Sequence, residues 1–379
     1  MPRTPIERTL TLKGQLALAS FLSSELLYIP TVIIIIFLLI TFTLLLYVIL
    51  LKIASRSRQR SRKRQFGIWE NLILEYLSGE VSSDKIAKEV RIKDFSLFSE
   101  FMEKYLKTLK GEDFQSLTHL LKEMGLFDYN LKRLGSRKRW HRVYAAFFLG
   151  LMRDKEAVPA LQKGLKDRDY LMSFASASGL AKSGQKEHLE ETLSLLTQRK
   201  DLGPDKAAEV LLEFGNGICS ELASILNREN VDIKWKCLII DLLGYWHDLE
   251  AGPVLLKILH TSKDSEMKVR SIRSLGEMPY VEAAQALSNC LDGDNDLIRA
   301  EAVRALGRIG VSEYSGKMAR FLGDRNWSVR YNTARALASF GEEGMALLRK
   351  MAEEADNSDV RGISAHVLSE TELLGKESR

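Results

Sequence analysis

The chain has only three cysteines in 379 residues, Cys219, Cys237 and Cys290. They lie far apart with no CxxC pair, which excludes a disulfide framework and leaves small buried side chains or unpaired thiols. None of the six histidines is followed by glutamate, and no two have zinc-ligand spacing, so no metal or other cofactor is expected. Charge is missing over one stretch, from Leu26 to Leu51. Helical residues rise ~1.5 Å each, so these 26 extend ~39 Å, more than the ~30 Å of bilayer hydrocarbon. This predicts a single transmembrane helix over 26–51, with 1–25 a short extracytoplasmic segment. Tyr28 and Tyr47 stand near its ends, as in an aromatic belt, and Pro30 falls in the first turn. A cleaved signal would have an apolar region of only ~7–15 residues and a small-residue cleavage site; here the apolar run passes straight into charge.

That charge sets the orientation. Lys52, Arg56, Arg58, Arg60, Arg62, Lys63 and Arg64 crowd a basic juxtamembrane linker, 52–66, and the positive-inside rule places everything after it in the cytoplasm of a single-pass protein. These seven side chains are expected to face lipid headgroups, where each contributes ~1 kcal/mol against an anionic leaflet. Residues 1–68 carry a net +8 while the whole chain carries +5, so the remainder sums to −3. The basic balance belongs to the anchor, which argues against nucleic acid as a partner.

Downstream, one unit is written eight times. Leu149, Leu180, Leu211, Leu243, Leu275, Leu306, Leu337 and Leu368 recur every 31 or 32 residues. Four residues earlier the side chain is small (Ala145, Ser176, Ala207, Ser271, Ala302, Thr333, Ser364), with Ile239 the exception. Eight earlier it is usually apolar, as at Met172, Trp235, Met267 and Val329. These offsets share one side of a helix and predict a buried stripe. Gly184, Gly215, Gly310 and Gly341, four residues past the leucine, suit left-handed caps, and Leu165, Leu196, Leu259, Leu291 and Leu322 anchor the next helix. Each unit is a helix pair, and a fixed period of this length marks a solenoid. Between anchor and repeats, 67–111 reads as a helical cap, with Phe98, Phe101, Met102 and Leu106 on the buried side of a helix from Phe95 to Leu109.

The segments DGDNDLIRAEAVRALGRIG (292–310), GDRNWSVRYNTARALASFG (323–341) and NSDVRGISAHVL (357–368) resemble HEAT-like repeats of the short type first described in phycobilisome lyases, and the resemblance covers 112–379. It implies an all-α right-handed solenoid of HEAT/armadillo type. It also implies an Arg ladder between units, carried here by Arg142, Lys236, Lys268, Arg299, Arg330 and Arg361 and interrupted at Ser173 and Pro204. The paired His-Glu motifs of the iron-binding HEAT-like hydroxylase family are absent. Two other motifs are imitations. GVSEYSGK, Gly310 to Lys317, has five residues between its glycines and Met318 in place of Ser or Thr, and Asp292, Asp294 and Asp296 lack the glycine and closing glutamate of a calcium loop. Both read as inter-helix turns.

No catalytic residues are expected. Function is expected instead on the exposed rows of the second helices, whose −2 positions read Phe147, Ser178, Glu209, Asp241, Arg273, Arg304, Arg335 and His366. Arg273, Arg304 and Arg335, flanked by Arg270 and Arg308, form a basic stripe suited to an acidic extended segment of a partner protein. A second basic cluster, Lys132, Arg133, Arg137, Lys138, Arg139 and Arg142, surrounds Trp140 and reads as a charged turn or a lipid contact. The expected function is a membrane-tethered cytoplasmic scaffold. Bacterial proteins of this build resemble accessory subunits of membrane complexes, some beside glycosyltransferases. Two alternatives are a bilin lyase-like enzyme, which would need a tetrapyrrole-sized pocket with placed polar groups, and a HEAT-like nucleic-acid-binding protein, which would bind duplex DNA with strong salt dependence.

Overall fold

The computed structural model describes residues 5–184, 186–198 and 203–377, with side chains over 32–57, 59–184, 186–198 and 203–373. The side chains of Tyr28, Pro30 and Arg58, and residues 1–4, lie outside the described set. The chain divides into two compact units, Met1–Asp94 and Phe95–Arg379.

The first unit is dominated by α1 (Pro5–Leu77), followed by α2 (Ser83–Glu89). Every side chain from Ile33 to Leu51 is exposed, and the helix is long and apolar enough to cross a membrane. Its polar atoms are already satisfied: the Thr41 hydroxyl donates to the Phe37 carbonyl at 2.9 Å and the Thr43 hydroxyl to the Leu39 carbonyl at 2.9 Å. The sequence reading separated a span, a basic linker and a cap, whereas the structure runs one helix through all of 52–66 and into the cap. The reason is local: no glycine or proline occurs between Pro30 and Gly67, and Arg, Lys and Gln are good helix formers.

The second unit opens with α3 (Phe95–Thr108) and α4 (Gly111–Glu123). Phe98, Phe101, Met102 and Leu106 are buried as the periodicity requires, and α3 packs on the helices that follow, covering the end of the repeat stack. Then come the pairs α5 (Leu126–Arg133) and α6 (Arg139–Met152), α7 (Val158–Leu165) and α8 (Tyr170–Lys182), α9 (Leu189–Gln198) and α10 (Pro204–Phe214), α11 (Cys219–Leu226) and α12 (Ile233–Tyr245). The series ends with α13 (Gly252–Thr261) and α14 (Ser265–Glu277), α15 (Ala284–Cys290) and α16 (Asp296–Ile309), α17 (Ser315–Ala319) and α18 (Trp327–Ala338), α19 (Glu342–Glu354) and α20 (Ser358–Glu377). Odd-numbered helices from α5 are the first of each pair and even-numbered ones the second.

Seven of the eight key leucines are completely buried, and so is the small row four residues before them. Eleven residues before them stands a capping row: Asp169, Asp232, Asp264, Asn295 and Asn326 each accept from a backbone amide of the second helix they begin. All four of the expected glycines take positive φ; Gly310, at φ 79° and ψ 26°, forms the left-handed cap, whereas Gly215 and Gly341 take an extended ψ instead. Arg153 and His247 occupy the same place in their units and take φ 53° without being glycine, so the turn is imposed by the stack.

The arginine ladder works in two directions. Arg142, Arg299, Arg330 and Arg361 each donate to the carbonyl six residues upstream, at 2.8 Å for Arg299 to Gly293. Arg299 also reaches the next unit, gripping Asp324 through two bonds of 2.8 and 3.0 Å with both side chains buried. Ser173 keeps the upstream half, donating to the Leu165 carbonyl at 2.6 Å and that of Asp167 at 3.1 Å. Lys236 and Lys268 have no carboxylate partner among the described residues, since a single ammonium cannot reproduce the guanidinium fork.

Candidate functional site

Second helices approach one another through a glycine row one residue past the key leucine. A Cβ on Gly150 would fall 2.4 Å from the Cα of Gly179, one on Gly276 2.7 Å from the Cα of Ala305, and one on Gly307 2.6 Å from the Cβ of Ala336. Glycines of the first helices instead face second helices or turns: a Cβ on Gly164 would fall 2.3 Å from the Ser176 hydroxyl and one on Gly252 2.4 Å from the Tyr280 ring. The stack therefore closes on the second-helix side, making their exposed face the inner one. The row is glycine in four units and small at Ala181, Ala338 and Ser369, and it is broken at α10, where Leu212 stands in that position and is exposed.

Along α6 and α8 this face is largely apolar, and α10 borders it with Glu209 and Glu213. Tyr144, Phe147, Leu171 and Phe174 line a groove of about 640 Å³, with Trp140 at its edge. Tyr144 and Phe147 lie with ring centroids 6.2 Å apart, and the ammonium of Lys107 sits 5.0 Å from the Phe147 ring. The Tyr144 hydroxyl is buried without a hydrogen-bond partner, and burial, with Glu103 and Glu100 nearby, raises its pKa. At the rim Lys182 bonds Glu213 at 2.7 Å. Phe147, Tyr144 and Leu171 stand two, five and nine residues before their leucines, on the side away from the buried stripe, but the groove exists only where neighbouring units bring them together with Phe174.

Along α12 to α20 the face is charged but compensated. Arg270 pairs with Asp241 and, at 2.7 Å, with Glu266; Arg273 and Arg304 share the buried carboxylate of Glu301 at 3.1 and 3.2 Å. Arg308 faces Glu277 at 3.5 Å and Arg335 faces Glu370 at 3.7 Å. The structure thus brings the five predicted arginines onto one face together with their own carboxylates. Burial pushes the Asp241 carboxyl up even with Arg270 beside it. Trp327 stacks on Tyr331 at 5.0 Å and 8°, and Arg335 lies 5.8 Å from the Tyr331 ring, closing a shallow groove of about 500 Å³ with Arg304 and Arg308.

In the first unit Lys52, Arg56, Arg60, Arg62, Lys63 and Arg64 are exposed on α1. The acidic turn is consumed internally: Asp292 holds Lys317 at 2.7 Å, and Asp296 holds Arg299 at 2.6 Å and Arg325 at 3.0 Å. Burial pushes the Cys219 and Cys237 thiols up to about 11, which keeps them protonated and unreactive. Among the described residues no three His, Cys, Asp or Glu side chains group as a metal site would require.

Residues 128–213, 220–306 and 288–369 match the family described as HEAT repeats. Deoxyhypusine hydroxylase-B of Oryza sativa subsp. japonica is 24% identical over 217 residues, 56% of this chain and 70% of that protein. Among solved structures, Kap121p bound to RanGTP aligns at a TM-score of 0.48 and 13% identity, over 79% of this chain and 38% of that one. Human deoxyhypusine hydroxylase in complex with glycerol aligns at 0.30 and 17%, over 65% and 99%.

Proposed function

The chain belongs to the HEAT-repeat family, and from that premise we propose that it is a non-enzymatic scaffold, tethered by α1 to a bacterial cytoplasmic membrane, that captures a partner polypeptide along the inner face of its second helices. The observation that carries this reading is the aromatic groove across α6, α8 and α10: Tyr144, Phe147, Leu171 and Phe174 turn apolar surface to a face that is otherwise charged. The partner proposed is a component of the same membrane, an accessory relationship of the kind proteins of this build have beside glycosyltransferases. A hydroxylase reading would require a metal-ligand set, and among the described residues no three His, Cys, Asp or Glu side chains group as one.

The arginines contribute differently from a bare basic stripe. Because Glu301 is buried between Arg273 and Arg304, reversing either charge sets two carboxylates side by side and damages the stack itself. The groove is therefore the better place to test capture. With a photoreactive phenylalanine analogue at Phe174, and a control at the exposed Val281 before α15, irradiation of native membranes is expected to yield one discrete adduct from position 174 and none from 281. Equal labelling from both positions, or none from 174, refutes capture on this face.

A further inference from the structure

A separate surface lies on the turn between α5 and α6. Arg139 is bound to Asp169 and Arg142 to Asp167, and Arg133 rests on the Tyr129 ring. Lys132, Arg137 and Lys138 are exposed and have no carboxylate partner among the described residues. Beside them Trp140 is 66% exposed, its indole covered on one side by the Arg139 guanidinium at 5.3 Å. Leaving an indole in water forfeits the burial of a large apolar surface, and ion pairing elsewhere on this turn shows that carboxylates are available to it. An indole with a polar N–H among unpaired cations matches the headgroup layer of an anionic bilayer, where Trp partitions to the interface and each cation adds ~1 kcal/mol.

We propose that the α5–α6 turn, through Trp140, Lys132, Arg137 and Lys138, is a second membrane contact that binds an anionic bilayer surface and lays the repeats against it. An acidic peptide or a nucleic acid would also use the cations, and a nucleobase would stack on the indole; the bilayer is favoured because the tethered reading keeps this turn beside lipid. The proposal rests on the tethered reading, since α1 holds the turn at high effective concentration near lipid. Trp140 lines the aromatic groove together with Phe174, whereas Lys132, Arg137 and Lys138 do not, so neutralising these three separates lipid contact from partner capture.

The test reconstitutes the full chain in nanodiscs of phosphatidylcholine, with or without phosphatidylserine, carrying lipid brominated near the headgroup, and reads tryptophan quenching in the wild type and in Trp140→Phe. Circular dichroism checks that helix content is kept. Quenching that depends on Trp140 and appears only in anionic discs supports the contact. Joint neutralisation as Lys132→Gln, Arg137→Gln and Lys138→Gln is expected to weaken it about a hundredfold, from ~1 kcal/mol per cation. Equal quenching of wild type and Trp140→Phe in anionic discs overturns the proposal while leaving the tether standing. A chain that elutes apart from the discs overturns the tether, and this contact with it. A Trp140 response to added polyglutamate or duplex RNA in zwitterionic discs, with none to lipid charge, overturns the bilayer in favour of a soluble polyanion.

Discussion

At the scale of single residues, the small row before each key leucine separates size from polarity. Ala145, Ala207 and Ala302 fill it as well as Ser176, Ser271 and Ser364 do, and all six are buried, but the three serine hydroxyls have no hydrogen-bond partner. Thr333 escapes by donating to the Val329 carbonyl at 2.8 Å. A buried hydroxyl without a partner costs stability, so the position selects volume and tolerates the oxygen. Ser271→Ala is therefore expected to raise stability by up to about 1 kcal/mol, read as a higher thermal midpoint in detergent. A clear loss would mean that the hydroxyl is bonded after all.

Between elements, the close passage of second helices depends on having no side chain at one position. Gly307→Ala sets its new Cβ 2.6 Å from that of Ala336 and 2.9 Å from its Cα, an overpacking expected to cost about 1–3 kcal/mol. Gly316→Ala, in α17 with nothing within 4 Å, should be neutral or slightly stabilising, so opposite signs from the same substitution in one assay test the claim. The turns between elements also set the response to acid. Burial opposes ionisation of Asp169, but the bonds from Arg139 and the Leu171 amide outweigh it; Asp296 is held low by Arg325, Asn326 and Arg299. Carboxyls with depressed folded pKa values stabilise the fold above the unfolded value of ~3.9, and that contribution is lost as pH falls through the folded one. Asp241 works the other way, because its raised pKa makes its ionised form a cost that protonation relieves. Stability is expected to hold from neutral pH to about 5 and to decline below about 4, with Asp169→Asn flattening the decline in a melting series.

For the whole molecule, the decisive asymmetry is between an apolar α1 whose surface from Ile33 to Leu51 is exposed and a repeat unit whose inner-face arginines are neutralised in place. If α1 spans with its basic side inward, an epitope placed after Arg379 will resist protease in intact cells and be digested once they are opened. Digestion in intact cells reverses the topology. Charge bookkeeping agrees with protein rather than nucleic acid as the partner of the inner face, because the arginine row there comes with Asp241, Glu266, Glu277, Glu301 and Glu370.

The 31- to 32-residue period was enough to place the key leucines, the small row and the helix pairs, because each depends on position along one helix and burial repeats with it, while the long apolar run of α1 was legible from its lack of charge. The same period carried a legible glycine row at Gly150, Gly244, Gly276 and Gly307 that helical propensity alone reads as a weakness. Tertiary structure alone decided which charges are available. Arg273 meets Glu301 and Arg335 meets Glu370 across 28 and 35 positions, and a guanidinium on a long flexible stem reaches whichever carboxylate the neighbouring unit presents. Trp140, nine residues before Leu149, was placed by the period on the side away from the buried stripe, and tertiary structure decided only that no neighbouring unit covers it.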